Sequence, residues 1–175
     1  MNCLIKSINY CPVKSLSFQS VSSSDIKKNL GMPNDRIFAF SRGIDIEKAK
    51  IIEINPEHRK LNNFLTLKNS PVLNKYNFTY DGNRLVLTLQ GKEIISILTD
   101  SSEEKISLSK KLCELETTLA KPITLLKNKD FPFYDTSHSN KIFNSMSLIN
   151  LKSINDFESK INQKVEFERF RANFY

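Results

Sequence analysis

Two short segments place a cation beside polar groups that suit an anionic ligand. Lys14 and Ser15 follow Pro12, which interrupts a strand-like run, so an ammonium and a hydroxyl leave the chain from one tight bend. Asp35 and Arg36 open a hydrophobic strand, and a guanidinium offers a planar fork of donors to a phosphate. Taken singly, an exposed lysine at a strand end and a local Asp35–Arg36 ion pair explain these segments more simply.

A third segment lies near the end of the printed sequence. Arg169, Arg171 and Asn173 would share one face of a regular strand, because side chains alternate between faces. Such a row of donors could bind an anion or a polar heterocycle. A solvated strand face explains the same pattern equally well, so both interpretations stay open at this point.

The cysteines and histidines give no sign of a disulfide framework or a zinc site. Cys3, Cys11 and Cys113 are odd in number and widely spaced, and reduced, packed thiols are expected. His58 and His138 lack the spacing of a metal site.

The composition is that of an ordinary globular protein with an excess of positive charge. Hydrophobic residues make up 39% and charged residues 26% of 175 residues, which allows one domain or two small ones. A net charge of +7 favours an anionic partner such as nucleic acid or a phosphorylated molecule. No apolar run is long enough for a membrane span and the start does not resemble a signal peptide, so a cytoplasmic location without a membrane partner is expected.

The elements that must position these residues are mainly strands in the first hundred residues. Residues 25–30 predict one turn of helix capped by Gly31, and Asp81-Gly82 and Gln90-Gly91 predict tight turns. Consecutive short strands joined by tight turns favour a small barrel or sandwich. Strands are predicted at residues 2–10, 15–21, 36–40, 64–67, 76–80, 84–89 and 93–98.

Helical periodicity begins after residue 100. Ser101 and Glu104 form a predicted capping box, followed by an amphipathic helix of about five turns with Leu108, Leu112, Leu115 and Leu119 on one face. A strand at 123–126, a long polar segment at 127–145 and a strand end at 147–150 come next, before a helix at 151–161. The run 168–175 predicts a strand still apolar at its last residue, which is typical of a fragment.

Read in order, these motifs resemble the MOSC family, named for the C-terminal domain of molybdenum-cofactor sulfurase. The family also includes the mitochondrial amidoxime-reducing component, and the resemblance covers nearly the whole chain. The matching residues are Tyr10 with Pro12-Val13-Lys14-Ser15, Gly31 with Asp35-Arg36, Phe64-Leu65-Thr66-Leu67-Lys68 with Pro71 and Leu73, Ser147-Leu148-Ile149-Asn150 with Ser153, and Arg169-Phe170-Arg171-Ala172-Asn173.

The resemblance implies binding of molybdenum cofactor (molybdopterin). Lys14, Ser15 and Arg36 would hold its phosphate, and Arg171 and Asn173 would contact the pterin. Four further residues are candidates by their place in similar motifs: Arg169, Ser147, Asn150 and Asp135.

The implied fold is mixed α+β and mainly β. It would comprise a small N-terminal β-barrel-like domain over residues 1–100 and the incomplete start of a MOSC β-barrel with flanking helices over residues 101–175. The family's molybdenum-binding cysteine lies downstream of Arg169–Asn173, so no catalytic or metal-binding residue is expected in this chain, and a fragment ending at Tyr175 would be inactive alone.

The implied activity is that of an oxidoreductase or a sulfur carrier acting through a pterin-bound molybdenum centre. Such an enzyme needs an electron-transfer or sulfur-donor partner, and the pyridoxal-phosphate-dependent sulfurase domain is not part of this chain. The alternative is a non-catalytic basic β-barrel that binds nucleic acid. It is disfavoured because surface aromatics do not clearly alternate with Lys and Arg on the predicted strands.

Overall fold

The structure is a computed structural model, and it describes residues 4–28, 31–134 and 146–175. Its described strands form three antiparallel sheets of two, two and three strands, accompanied by three α-helices. The predicted mixed α+β class is therefore confirmed. The described strands do not close into a barrel, because most are only three residues long and pair with a single neighbour.

The three-stranded sheet is the part of the fold that the sequence predicted best. Strands β4 (Tyr76–Tyr80), β5 (Arg84–Leu89) and β6 (Lys92–Leu98) form an antiparallel meander. Gln90 and Gly91 join the last two strands with φ angles of 51° and 77°, the left-handed conformation that a tight hairpin turn requires.

The two smaller sheets bring distant parts of the chain together. Strand β1 (Ile8–Tyr10) pairs with β2 (Gln19–Val21), and β3 (Phe38–Phe40) pairs with β7 (Leu125–Lys127), all antiparallel. These strands are shorter than predicted, since the bend at residues 11–16 interrupts the first pair.

The helices are α1 (Ile46–Ile54), α2 (Ser102–Leu115) and α3 (Leu151–Ile161). The structure confirms α3 and a helix at the predicted start of α2. Helix α2 ends at Leu115 after about four turns instead of the predicted five, so Leu119 lies outside it. Helix α1 was not anticipated. None of the described helices has the length and apolar character needed to cross a bilayer.

Four sequence predictions of local structure were wrong. Residues 25–28 are not helical, residues 64–67 contribute only a bridge from Phe64 to Ser41, and residues 147–150 only a bridge from Leu148 to Phe174. The fourth concerns the predicted strand at 168–175. A 3-10 helix spans Phe167–Phe170 there, and Arg171 follows with a left-handed φ of 57°. Arg169, Arg171 and Asn173 therefore do not form a row on one strand face.

The main hydrophobic core draws on residues from both sides of the predicted domain boundary at residue 100. Leucines of α2 pack in the same cluster as the aromatic residues of β3 and β4. The boundary itself stays a prediction. Buried members of the cluster include Phe38, Phe40, Tyr76, Phe78, Tyr80, Leu85, Leu87, Leu108, Leu112 and Leu125.

Candidate functional site

The buried carboxylate of Asp35 lies at the centre of the candidate site. Its side chain is fully buried, accepts a hydrogen bond from the Cys11 amide at 2.8 Å and forms an ion pair with Arg36. The Tyr134 hydroxyl donates to it at 3.3 Å, and Asn173 Nδ2 donates at 3.4 Å. Four donors from separate segments therefore converge on one carboxylate, and we call this group, together with Arg171 next to Cys11, the Asp35 cluster.

Backbone hydrogen bonds hold the first bend against the segment that carries Asp35. The Arg36 amide donates to Cys11 O at 2.6 Å, and the Phe38 amide donates to Pro12 O at 3.0 Å. The Lys14 amide donates back to Phe38 O at 2.8 Å. Because Pro12 has no amide hydrogen, it fits in this bend without leaving a donor unpaired.

Arg171 reaches the same bend from the end of the described chain. Its Nη2 donates to Leu16 O at 2.5 Å and lies 3.6 Å from Cys11 Sγ, while its guanidinium stacks on the Phe18 ring at 4.7 Å. Arg171 therefore lies beside Cys11, whose carbonyl accepts from the Arg36 amide, although 134 other residues separate the two arginines in the sequence.

Asn173 links the terminal segment to both β1 and the Asp35 cluster. Its Nδ2 also donates to Asn9 O at 3.1 Å, and its Oδ1 accepts from the amide and hydroxyl of Ser147 at 3.1 and 3.2 Å. The Asn173 residue is 1% exposed. In this structure the amide therefore holds protein segments together.

Lys14 is buried rather than solvent-exposed. Its residue is 5% exposed, and Nζ donates to Phe133 O at 3.0 Å and lies 5.7 Å from the Phe64 ring centroid. Ser15, the next residue of the bend, is partly exposed and has a left-handed φ of 61°. The lysine therefore lies among aromatic residues. It is also close to the backbone of Arg36, because the Arg36 carbonyl accepts from the Phe133 amide at 2.7 Å.

The remaining predicted site residues have other positions. Arg169 is exposed, and Asn150 is exposed and caps α3, its Oδ1 accepting from the Lys152 amide at 2.9 Å. Ser147 meets the Asp35 cluster only through Asn173. Asp135 lies outside the described residues, as do Cys3 and His138.

Burial and charge shift the pKa values of the groups in the Asp35 cluster. Burial raises the pKa of the Cys11 thiol, and the positive charges of Arg36 and Arg171 offset only part of that rise. Burial lowers the pKa of Arg36, but the charge of Asp35 together with Cys11, Tyr134 and the hydrogen bond to Asp35 more than offsets it, so the pKa is raised. Burial and the Asp35 charge together raise the pKa of Tyr134. At neutral pH the Cys11 thiol and the Tyr134 phenol are therefore neutral and the Arg36 guanidinium is charged.

Tyr134 and Arg59 also hold this region together, and neither was among the predicted site residues. Tyr134 was seen only as part of a polar segment, yet its ring lies 5.3 Å from the Arg36 guanidinium. Arg59 is 8% exposed, and its guanidinium donates to the carbonyls of Ile52 and Phe131 at 2.8 and 2.7 Å. Arg59 follows the end of α1, where a cation is favoured, but α1 itself was not predicted, so this signal could not be used.

Comparisons with protein-family models, with curated proteins and with solved structures each found no match to this chain. Within residues 4–28, 31–134 and 146–175, no three His, Cys, Asp or Glu side chains lie together in a way that could hold a metal ion.

Proposed function

We propose that this chain is MOSC-like and binds molybdenum cofactor, and that Arg36 and Arg171 bind the cofactor's phosphate. This proposal moves Arg171 from the pterin contact that the family resemblance implies to the phosphate. One observation carries the proposal: these two arginines, from motifs far apart in the sequence, both meet the segment of the buried Cys11. The Arg36 amide donates to Cys11 O at 2.6 Å, and Arg171 Nη2 lies 3.6 Å from Cys11 Sγ. A shared anion site requires cations from different segments to lie close together. Motifs whose side chains lay on unrelated surfaces would not form such a site.

The balance of charge in the cluster supports an anionic ligand. Asp35 supplies one negative charge against the two positive charges of Arg36 and Arg171. Arg171 forms no ion pair with a carboxylate of the described residues, and its Nη2 contacts Leu16 O and Cys11 Sγ instead. One cation is therefore left uncompensated at a half-buried position, where an anion gains most.

The donor set fits the phosphate end of the cofactor better than the pterin end. The Arg36 side chain is 22% exposed and Arg171 is also partly exposed, so both guanidinium groups can reach a ligand. Ser15 lies partly exposed in the adjoining bend and could add a hydroxyl donor. Lys14 and Asn173 form hydrogen bonds within the chain. These bonds position the first bend and the terminal segment, next to which the two arginines lie.

The bound cofactor would supply redox or sulfur-transfer chemistry at molybdenum. The residues of this chain would bind and orient it. Asp35 holds the Arg36 guanidinium by an ion pair, and Leu16 O accepts a hydrogen bond from Nη2 of Arg171. The guanidinium N–H groups that remain for a ligand are therefore pre-oriented. Whether the whole protein is an oxidoreductase or a sulfur carrier depends on the partner that delivers electrons or sulfur.

Pterin occupancy tests this proposal. The protein is purified from a host that makes molybdenum cofactor, and released pterin is oxidised and quantified by fluorescence. Loss of charge-assisted hydrogen bonds worth about 1.5–3 kcal/mol predicts binding weaker by about ten- to a hundred-fold in Arg171→Ala and in Arg36→Ala. Arg42→Ala, which removes the same charge outside the Asp35 cluster, should keep wild-type occupancy.

Two results would contradict the proposal. Wild-type protein that neither carries nor takes up pterin would refute cofactor binding. Equal occupancy in Arg171→Ala and Arg42→Ala would refute the assigned site. Salt-dependent binding of mixed oligonucleotides, lost in the Arg36→Ala and Arg171→Ala variants, would instead favour a nucleic-acid-binding module.

A further inference from the structure

A cleft of about 700 Å³ lies beside α2, away from the Asp35 cluster. One wall is a single face of α2, formed by residues at helical spacing. The opposite wall is the chain at 121–124, and Ile46 at the start of α1 completes the mouth. The α2 residues that line it are Ile106, Ser109, Lys110, Cys113 and Glu114.

Hydrogen bonds hold the two walls at a fixed separation. The Ser109 hydroxyl accepts from the Leu125 amide at 3.0 Å, which joins the α2 wall to the end of the opposite wall. The Gly43 amide donates to Pro122 O at 2.9 Å, and the Ser41 amide donates to Thr124 O at 2.8 Å. The cleft is therefore pre-formed, and a ligand would not have to order its walls.

The lining of the cleft is mainly apolar. Ile46 and Ile106 are 48% and 45% exposed. Pro122 extends this surface along the opposite wall, whereas Ile123 beside it is only 8% exposed. An alkyl chain or a similar apolar group would cover Ile46, Ile106 and Pro122 and gain the free energy of their burial.

The charges at the cleft are unbalanced in favour of cations. Lys110 and Lys121 line it, and neither forms an ion pair with a carboxylate in the described ranges. The one acidic lining residue, Glu114, pairs with Lys111 at 3.5 Å. An apolar trough with two uncompensated ammonium groups is complementary to a molecule with an apolar body and an anionic head.

We propose that this cleft binds a free amphiphilic carboxylate, with its alkyl chain against Ile46, Ile106 and Pro122 and its carboxylate against Lys110 and Lys121. The volume falls within the range of small-molecule sites, about 300–1,000 Å³. A protein partner would need a larger contact than this cleft offers.

Two measurements test the proposal on the whole chain in a Cys3→Ser background. Isothermal titration with laurate below its micelle concentration measures affinity. Labelling of Cys113 by a thiol reagent reports occupancy, because Cys113 lines the cleft and is partly exposed whereas Cys11 is fully buried. Saturable binding and slower labelling are expected, with dodecanol binding more weakly than laurate because it has no charge.

Variants separate recognition of the carboxylate from general adsorption. Lys110→Ala/Lys121→Ala should weaken laurate binding about five- to ten-fold, given the modest strength of exposed ion pairs. Lys92→Ala/Lys152→Ala, which removes the same charge elsewhere, should bind as the parent does.

Three outcomes would overturn the proposal. One is equal affinity for laurate and dodecanol, and another is equal affinity in both double variants. The third is binding to anionic lipid vesicles without any binding of free laurate, which would assign the surface to a membrane.

Discussion

Asp35 is the residue on which the candidate site depends most. It joins the first bend, Arg36, Tyr134 and the terminal segment through one buried carboxylate. A buried carboxylate is tolerated only when several donors satisfy it, as they do here.

Asp35→Asn should lower the free energy of unfolding by about 2–4 kcal/mol. The replacement has nearly the same shape but cannot compensate the charge of the half-buried Arg36. Urea denaturation measures the change, and Asp156→Asn, at an exposed position of α3, should stay within about 0.5 kcal/mol of the parent. Equal stability of the two variants would mean that the buried ion pair contributes no net stability.

The raised pKa values of Tyr10 and Tyr76 predict how the free energy of unfolding changes at alkaline pH. Burial, with nearby negative charge, raises the pKa of each from 10.0 to about 12, and the Tyr76 hydroxyl donates to Glu116 Oε1 at 2.6 Å. The folded state therefore keeps protons that the unfolded chain has lost, so each group's stabilising contribution is lost as pH rises from about 10 to about 12.

The Tyr76→Phe variant isolates one of these contributions. Between pH 10 and 12 the parent should lose more unfolding free energy than Tyr76→Phe does, as measured by urea denaturation at each pH. Identical losses would mean that the Tyr76 phenol titrates alike in the folded and unfolded states.

At the scale of elements, the capping signal of α2 predicted the start of the helix correctly but the hydrogen-bond partner of the Glu104 carboxylate incorrectly. The Ser101 hydroxyl accepts from the Glu104 amide at 3.2 Å, as the predicted capping box requires. The Glu104 carboxylate does not return to the Ser101 amide. It accepts instead from the Leu98 amide at 2.7 Å, which attaches the helix to the end of β6.

Ser101→Ala should reduce stability by about 1 kcal/mol, the usual cost of losing a helix N-cap. Ser107→Ala is the matched control, because Ser107 is exposed within the same helix and alanine has the better helix propensity. Thermal unfolding followed by circular dichroism compares the two. A Ser101→Ala protein as stable as Ser107→Ala would show that the cap contributes nothing.

At the scale of the whole molecule, the main core crosses the predicted domain boundary. Leu112 of α2 and Phe78 of β4 are both fully buried members of the same cluster. The β3–β7 sheet also joins residues from either side of position 100. The contacts therefore couple the two parts in folding.

Leu112→Ala should lower the unfolding free energy by about 3 kcal/mol, from lost burial and the cavity left behind. Calorimetry should record one transition that shifts as a whole. Leu4→Ala, at a position 91% exposed, should leave it unchanged. Two transitions, with only one moved by Leu112→Ala, would instead support independently folding segments.

The sequence by itself determined those elements whose signals are local. The β4–β6 meander and α3 were predicted almost to the residue, because turn residues, alternation and helical periodicity act over a few positions. Helix α1 was missed although Asp45 caps it, accepting from the Lys48 amide at 2.8 Å, because its apolar residues do not form a clear stripe.

Only the tertiary structure decided the shape of the terminal segment and the surroundings of the predicted cations. The Arg-Phe-Arg alternation imitates a strand, but Arg171 Nη2 donates to Leu16 O at 2.5 Å and the Asn9 amide donates to Asn173 O at 2.8 Å, and the chain turns at Arg171 instead. Lys14 is buried because Phe133, far along the chain, offers it a carbonyl. A local sequence pattern cannot predict that a side chain is buried, or which group it bonds to, when the contact lies more than a hundred positions away. The stabilising free energy comes from contacts that exist only after the chain has folded.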